Sequence, residues 1–179
     1  MDALMAGVDE VRHSPSDDGP IELIVRRPAV GEREVVDEAT LDTGVGVVGD
    51  TWQQRGSSRT PDGSSNRGMQ VTLMNSRAAD LVAGAAERWQ LAGDQFYVDF
   101  DLSGANIPPG TRLGLGTAVL EVTEEPHRGC AKFSARFGVD AVRFVNSDVG
   151  RKLNLRGVNA RVVETGTVRT GDPVRKLPG

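Results

Sequence analysis

The clearest pattern along the chain is an alternation near its middle. Phe96, Val98, Phe100 and Leu102 alternate with Tyr97, Asp99 and Asp101, the period of a half-buried strand over 96–102. Apolar runs at 21–27, 71–74, 113–116, 118–123, 160–164 and 168–174 read as further strands. Pro28, Pro108-Pro109-Gly110, Pro126 and Gly171-Asp172-Pro173 supply their stops, since proline removes a ladder donor and these dipeptides turn the chain. Residues 30–41 read as strand followed by turn. Leu81, Val82, Ala85, Ala86 and Trp89 recur at helical spacing, which predicts one helix over 77–89, N-capped by Asn75 or Ser76. Gly84 would weaken it by about 1 kcal/mol relative to alanine. Shorter helices fit 130–137 and 140–144, separated by Gly138.

The remaining segments carry turn chemistry. Residues 1–20 run from an apolar start into His13-Ser14-Pro15-Ser16-Asp17-Asp18-Gly19-Pro20, an exposed turn or loop. Residues 44–50 are a compact Gly/Val run whose three glycines suggest close backbone approach. Residues 53–67 are uniformly polar, and a loop of that length is a lid, a binding loop or disordered. Residues 146–157 read as irregular. With no internal repeat, the expected architecture is mostly β with flanking helices. It is an α+β, barrel-like single domain over 1–179, with an N-terminal extension at 1–20 and a flexible polar loop at 53–67.

Composition narrows the function classes. Twenty-two glycines with 4% aromatics favour short strands and tight turns over a helix bundle. A formal net charge of −4 argues against general nucleic-acid affinity, which needs a basic surface. The single cysteine excludes an intramolecular disulfide and suits a reducing cytosol. No stretch reads as a leader or a membrane span. The expectation is a cytoplasmic protein with a small-molecule substrate, no nucleic acid and no membrane.

Candidate chemistry concentrates in Glu124-Glu125-Pro126-His127-Arg128-Gly129-Cys130-Ala131-Lys132-Phe133-Ser134-Ala135-Arg136-Phe137-Gly138. If Cys130 opens a helix, the free N–H groups and the helix dipole favour its thiolate. Lys132 and Arg136, four apart, share a helix face, and His127 and Arg128 add cations upstream. Two readings stay open for Cys130: a small buried hydrophobe, or a reactive thiolate with a lowered pKa. His127 is open between a surface role and that of base or ligand. Two histidines and one cysteine give neither a His-rich metal site nor zinc-type spacing. Asn106 reads locally as a turn cap, and Asp50 as a turn residue or part of whatever the polar loop covers.

Taken in order, several segments resemble the MOSC family, the domain found at the C-terminus of molybdenum-cofactor sulfurases. They are Gly49-Asp50, Val71-Thr72-Leu73-Met74-Asn75, Gly104-Ala105-Asn106-Ile107, Arg128-Gly129-Cys130-Ala131-Lys132-Phe133 with Arg136-Phe137-Gly138, and Gly166-Thr167-Val168-Arg169-Thr170-Gly171-Asp172. The resemblance spans about 44–172 and is to the stand-alone bacterial type. It departs where Ala105 stands for an acidic residue common before the Asn and where Gly129 stands for a frequent proline. The aminotransferase-like portion of full cofactor sulfurases is also missing, so persulfide would have to come from elsewhere.

The resemblance implies a β-barrel-like fold with Cys130 at a cleft. It implies two alternative roles for that thiolate, a strong nucleophile and soft metal ligand. In one, Cys130 ligates molybdenum in a bound molybdenum cofactor (molybdopterin), and the protein is a molybdenum-dependent oxidoreductase that reduces N-hydroxylated compounds with a redox partner. In the other, Cys130 carries a persulfide supplied by a cysteine desulfurase and delivers sulfur to a metal–sulfur or cofactor partner. Arg128, Lys132, Arg136, Asn106, Asp50 and His127 are the expected cofactor-binding residues.

Overall fold

A computed structural model describes residues 1–178. Two short helices, α1 (Asp2–Ala6) and α2 (Val8–Arg12), lead into β1 (Asp18–Arg26), β2 (Glu34–Val36), β3 (Glu38–Asp42), β4 (Gly46–Val47) and the helical turn α3 (Trp52–Arg55). Then follow β5 (Val71–Asn75), α4 (Ser76–Ala83), a 3₁₀ segment (Ala86–Ala92) and β6 (Phe96–Val98). β7 (Arg112–Leu115), β8 (Ala118–Val122), α5 (Ala131–Phe137), α6 (Val139–Val145), α7 (Asp148–Lys152), β9 (Val158–Glu164), β10 (Gly166–Arg169) and β11 (Pro173–Lys176) complete the order.

Seven strands close a barrel in the order β1-β11-β7-β8-β9-β5-β6 and back to β1. Closure is possible because β1 is shared. Its first residues, Asp18 to Pro20, pair with β11, and from Ile21 onward it pairs with β6, with a register shift between Ile21 and Leu23, and then with β2. A closed barrel leaves no strand edge among those seven. Only β5 and β6 run parallel; the other pairings are antiparallel. β10, β3 and β4 form a separate small sheet.

Successive strand residues point to opposite faces, and here both faces of several strands are apolar. Ile24, Leu73 and Phe96 fill the barrel interior, while their neighbours Val25, Met74 and Tyr97 pack outside it under the helices. That outer layer also holds Val8 and Val11 of α2, Ala78 and Ala79 of α4, Phe133 of α5 and Phe144 of α6. The helices therefore lie on one side of the barrel, and α5 and α6 are seated by aromatic anchors.

The structure differs from the sequence pattern in five places. The alternation over 96–102 yields a strand of three residues: Phe100 and Leu102 still bury their side chains after pairing ends. Tyr97 is fully buried, because helices cover the face expected to be wet, and its hydroxyl donates to the Trp89 carbonyl at 2.6 Å. Gly84 ends α4 in the left-handed conformation (φ +74°), so the segment read as one helix is α4 followed by a 3₁₀ turn. Residues 146–157, read as irregular, contain α7, whose N-cap Ser147 accepts from the Gly150 N–H. Residues 1–20, read as an N-terminal extension with a turn or loop at 13–20, contain α1 and α2, and β1 already begins at Asp18.

No helix of the described residues is long and apolar enough to cross a membrane.

Gly157 leads into β9 at φ +104°, and a β-carbon there would run into the Leu73 carbonyl of β5. Gly157→Ala therefore combines left-handed strain with a backbone clash and is expected to cost about 2 kcal/mol or more. Gly84→Ala, which meets open space, should cost about 1 kcal/mol. Urea unfolding of the two variants measures the difference.

Candidate functional site

Cys130 is the N-cap of α5, with extended backbone (φ −119°, ψ −179°), and its side chain is exposed. The residue before it is clamped from α6. Gly129 N–H donates to Asn146 Oδ1 at 3.0 Å, and Asn146 Nδ2 donates back to the Gly129 carbonyl at 2.9 Å. A β-carbon on Gly129 would lie 2.8 Å from Val142 and Val145. This accounts for glycine at a position where proline would lose the N–H and add bulk.

Partial burial works against ionisation of the Cys130 thiol, but it is outweighed. The free N–H groups of Phe133 and Lys132 face the sulfur, without closing a capping hydrogen bond of ordinary geometry, and the charges of Arg156 and Lys132 add to them. The net effect is a thiol pKa below its ordinary value.

The thiol opens into a cavity of about 210 Å³. Six cationic side chains line it (Arg27, Arg33, Arg55, Lys132, Arg136 and Arg156) against one carboxylate, Glu32. Two of the six are compensated by buried acids outside the cavity. Arg27 makes a fork to Asp50, Nε–Oδ2 at 2.8 Å and Nη2–Oδ1 at 2.9 Å, and also donates to the Gly93 carbonyl at 3.1 Å. Arg136 is steered by a 2.7 Å bond to the Leu91 carbonyl. The crowding is visible in the guanidinium groups themselves. Arg33 sits below its ordinary pKa, by burial first and by Arg136 next; Arg55 does so by burial and then by Arg27.

Arg156 is held from beneath. Its Nη1 lies 2.5 Å from Oδ2 of Asp94, a fully buried carboxylate, and its Nη2 donates to the Ala92 carbonyl at 2.9 Å. Its guanidinium carbon stands 4.9 Å over the Phe133 ring of α5, a cation–π contact. His127 Nε2 is 2.9 Å from the other Asp94 oxygen, off the alignment of a full hydrogen bond. Burial alone would raise the Asp94 pKa, but Arg156 and then His127 hold it well below the usual carboxylate range. Burial and Arg156 together keep His127 below its ordinary value. Asp94 is therefore ionised, Arg156 is its counter-charge, and His127 is neutral near pH 7.

A second cavity of about 300 Å³ shares the Arg27 and Arg55 walls. Trp52, Thr72, His127 and Asn159 also line it. Asn159 is fully buried, its Nδ2 donates to the Glu125 carbonyl at 3.0 Å, and its Oδ1 has no partner.

Of the residues singled out from sequence, Cys130, Lys132 and Arg136 line one cavity. His127 and Arg128 line a smaller one of about 90 Å³ that abuts it through Arg156, and His127 also faces the second cavity. Asp50 stands behind Arg27. Asn106 is not among the lining residues of these cavities: it donates to the carbonyls of Ser16 and Asp101 and accepts from Lys176. Sequence reasoning missed Arg27, Arg33, Arg55, Asp94 and Arg156. They come from loops and the helical turn α3, spread along the chain, where no local periodicity marks them. Among the described residues no group of three or more His, Cys, Asp or Glu gathers as a metal site.

Two measurements follow. Alkylation of Cys130 against pH, read by intact mass, is expected to titrate below the roughly 8.5 of a free thiol; a midpoint at or above it would contradict the geometry. Asp94→Asn leaves Arg156 buried without its counter-charge and should cost about 3–5 kcal/mol. The Asp94 pKa is depressed on folding. Its contribution is therefore complete above the unfolded value of about 3.9 and is lost as pH falls through the lower folded value. Unfolding curves from pH 7 to pH 3 should show the variant's acid limb flattened below about pH 4.

Comparison with known proteins places this geometry. The family model of the MOSC domain matches residues 62–175. The fold is similar to the YuaD protein from Bacillus subtilis (TM-score 0.63, 17% identity, covering 88% of this chain and 94% of that one). It is also similar to YiiM from Escherichia coli (TM-score 0.59, 18% identity, 90% and 70% covered) and YiiM from Geobacillus stearothermophilus (TM-score 0.54, 12% identity, 92% and 75% covered). A search of curated proteins finds no match. With the family model covering well over half of its length, the chain belongs to the MOSC domain family.

Proposed function

We propose that this MOSC domain binds a molybdenum cofactor with Cys130 as the protein's metal ligand, and that it reduces N-hydroxylated compounds with electrons from a redox partner. The observation that carries the reading is the exposed thiol with a lowered pKa inside a cavity of six cations. A thiolate is a soft ligand suited to such a metal. The cations suit a phosphate and anionic oxo groups, because guanidinium forks match them bidentately.

The residues present fit the group in two further ways. With no cluster of other ligands among the described residues, a metal at Cys130 must bring most of its ligands in an organic cofactor. The unpartnered Asn159 Oδ1 in the adjoining cavity is an acceptor for an N–H-bearing ring. In this reading Arg33, Arg55, Lys132 and Arg136 would hold the anionic groups, and the Cys130 thiolate would be the protein's ligand to the metal. Asp94 does not line the cavity and would act through Arg156 and His127. When bound, the cofactor supplies a two-electron redox centre. Reducing an N–OH group to N–H consumes two electrons and two protons and releases water.

The exposure of Cys130 also favours a second reading, a persulfide carrier. Such a sulfur must be reachable by both a desulfurase and an acceptor protein.

The test is metal content after expression in a cofactor-producing host. The wild type should carry near-stoichiometric molybdenum and Cys130→Ala should carry none; retention in that variant would sink the proposal. Loss of one charge-assisted bond in Lys132→Ala or Arg136→Ala should weaken cofactor binding by roughly tenfold to a hundredfold. Intact mass before and after reductant, following incubation with a cysteine desulfurase, tests the persulfide reading.

A further inference from the structure

A cavity of about 600 Å³ lies between α2, β1 and α4 and shares no wall residue with the Cys130 pocket. We propose that it binds an organic cation, an ammonium or guanidinium carried on an apolar body. This does not rest on the molybdenum reading.

Four carboxylates face the cavity (Glu10, Glu22, Asp80 and Asp99) against one guanidinium, Arg77. Four of the five N–H donors of Arg77 are already engaged. Arg77 binds Asp99 through Nε at 2.8 Å and Nη2 at 2.9 Å, and it reaches both the carboxylate and the carbonyl of Glu10 at 3.2 Å. The Asp99 bond is also the main reason that its pKa lies above the ordinary value. Two acids are left over on opposite walls. Glu22 of β1 has no ion-pair partner among the described residues, and Asp80 of α4 accepts only the Trp89 indole N–H, at 3.3 Å. The surplus is therefore negative and is not quenched within the fold.

Two independent features point to a ligand. Ser76 belongs to the cavity wall, is 1% exposed, and its buried Oγ has no hydrogen-bond partner. A buried hydroxyl left unpaired is unusual and is satisfied when a donor or acceptor enters. The apolar part of the wall is Leu81 with the half-buried Trp89, and an indole face attracts cations. The volume matches the range of small-molecule sites, and such sites join apolar walls to a few polar groups. An anion is repelled by Glu22 and Asp80. A neutral molecule of the same shape gains the apolar contact without the charge.

The experiment uses the full chain with benzylammonium as probe, and benzyl alcohol as its neutral counterpart of the same shape. Binding is read from the Trp89 indole N–H in ¹⁵N NMR spectra, because that proton is bonded to Asp80. Benzylammonium should shift it with a Kd of about 1 mM or tighter, and benzyl alcohol should bind at least about tenfold more weakly. Glu22 and Asp80 are exposed, so a Glu22→Gln/Asp80→Asn variant should fold and lose at least about tenfold in affinity for the ammonium. The comparison of the two probes on the wild type needs no variant. No shift of the Trp89 signal up to about 10 mM, equal binding of the alcohol, or undiminished binding by the double variant would each overturn the proposal.

Discussion

The Asp94 carboxylate is the interaction on which the candidate site depends. It is fully buried, where an isolated charge is not tolerated, and the fold compensates it with the guanidinium of Arg156 ahead of β9, while the neutral His127 ahead of α5 lies beside its other oxygen. Once Arg156 is fixed there, its guanidinium becomes the support for Phe133, and Phe133 seats α5. The helix that Cys130 caps is thus oriented by an ion pair beneath it. Asp50 does for Arg27 what Asp94 does for Arg156. Neither acid lines the Cys130 cavity, yet together they fix two of its cations in place.

Holding six cations around a small cavity is unfavourable unless something offsets their repulsion. Buried acids offset part of it, and carbonyls take up more: Gly93 for Arg27, Leu91 for Arg136 and Ala92 for Arg156. The remaining repulsion adds to burial, the larger cause, in holding Arg33 and Arg55 below their ordinary pKa. An anion in the cavity would relieve that residual repulsion, so the site is poised for one. The chain as a whole carries −4, so this is segregation of charge and not a generally basic protein. The matching excess of carboxylate around Trp89 lies on walls that the Cys130 pocket does not share. A low-dielectric cleft of one sign concentrates ligands of the other, so two clefts of opposite sign would draw on different solutes.

Much of the barrel was legible because its strands end at turn residues that sequence displays directly. Pro28 and Pro108-Pro109-Gly110 lie beyond β1 and before β7, and Gly171-Asp172-Pro173 runs into the first residue of β11. What was illegible depended on what covers a strand. Tyr97 looked solvent-facing until helices were laid over it, and pairing beyond Val98 depends on where β1 and β5 end. The site divides in the same way. Cys130, Lys132 and Arg136 lie within two helical turns, so periodicity alone joins them. Arg27, Arg33, Arg55, Asp94 and Arg156 meet only through barrel closure, and a sequence carries no mark of that. Asn106, placed near the thiol by resemblance, instead ties residues 16 and 101 together and accepts from Lys176 of β11.

Gly129 shows how the fold presents the sulfur. Asn146 of the α6 C-cap takes both the N–H and the carbonyl of that residue, and valine methyl groups close over its α-carbon. The backbone one residue before the thiol is therefore among the best-restrained points of the loop, while the thiol itself is exposed. A cysteine used only for packing would show the reverse, with its sulfur buried. Here the rigid part is the approach and the open part is the reactive atom. The cavity walls beside Cys130 carry six cationic side chains and one carboxylate. In the proposed reading, selection at the thiol would be electrostatic first, because cationic walls concentrate anionic groups beside it.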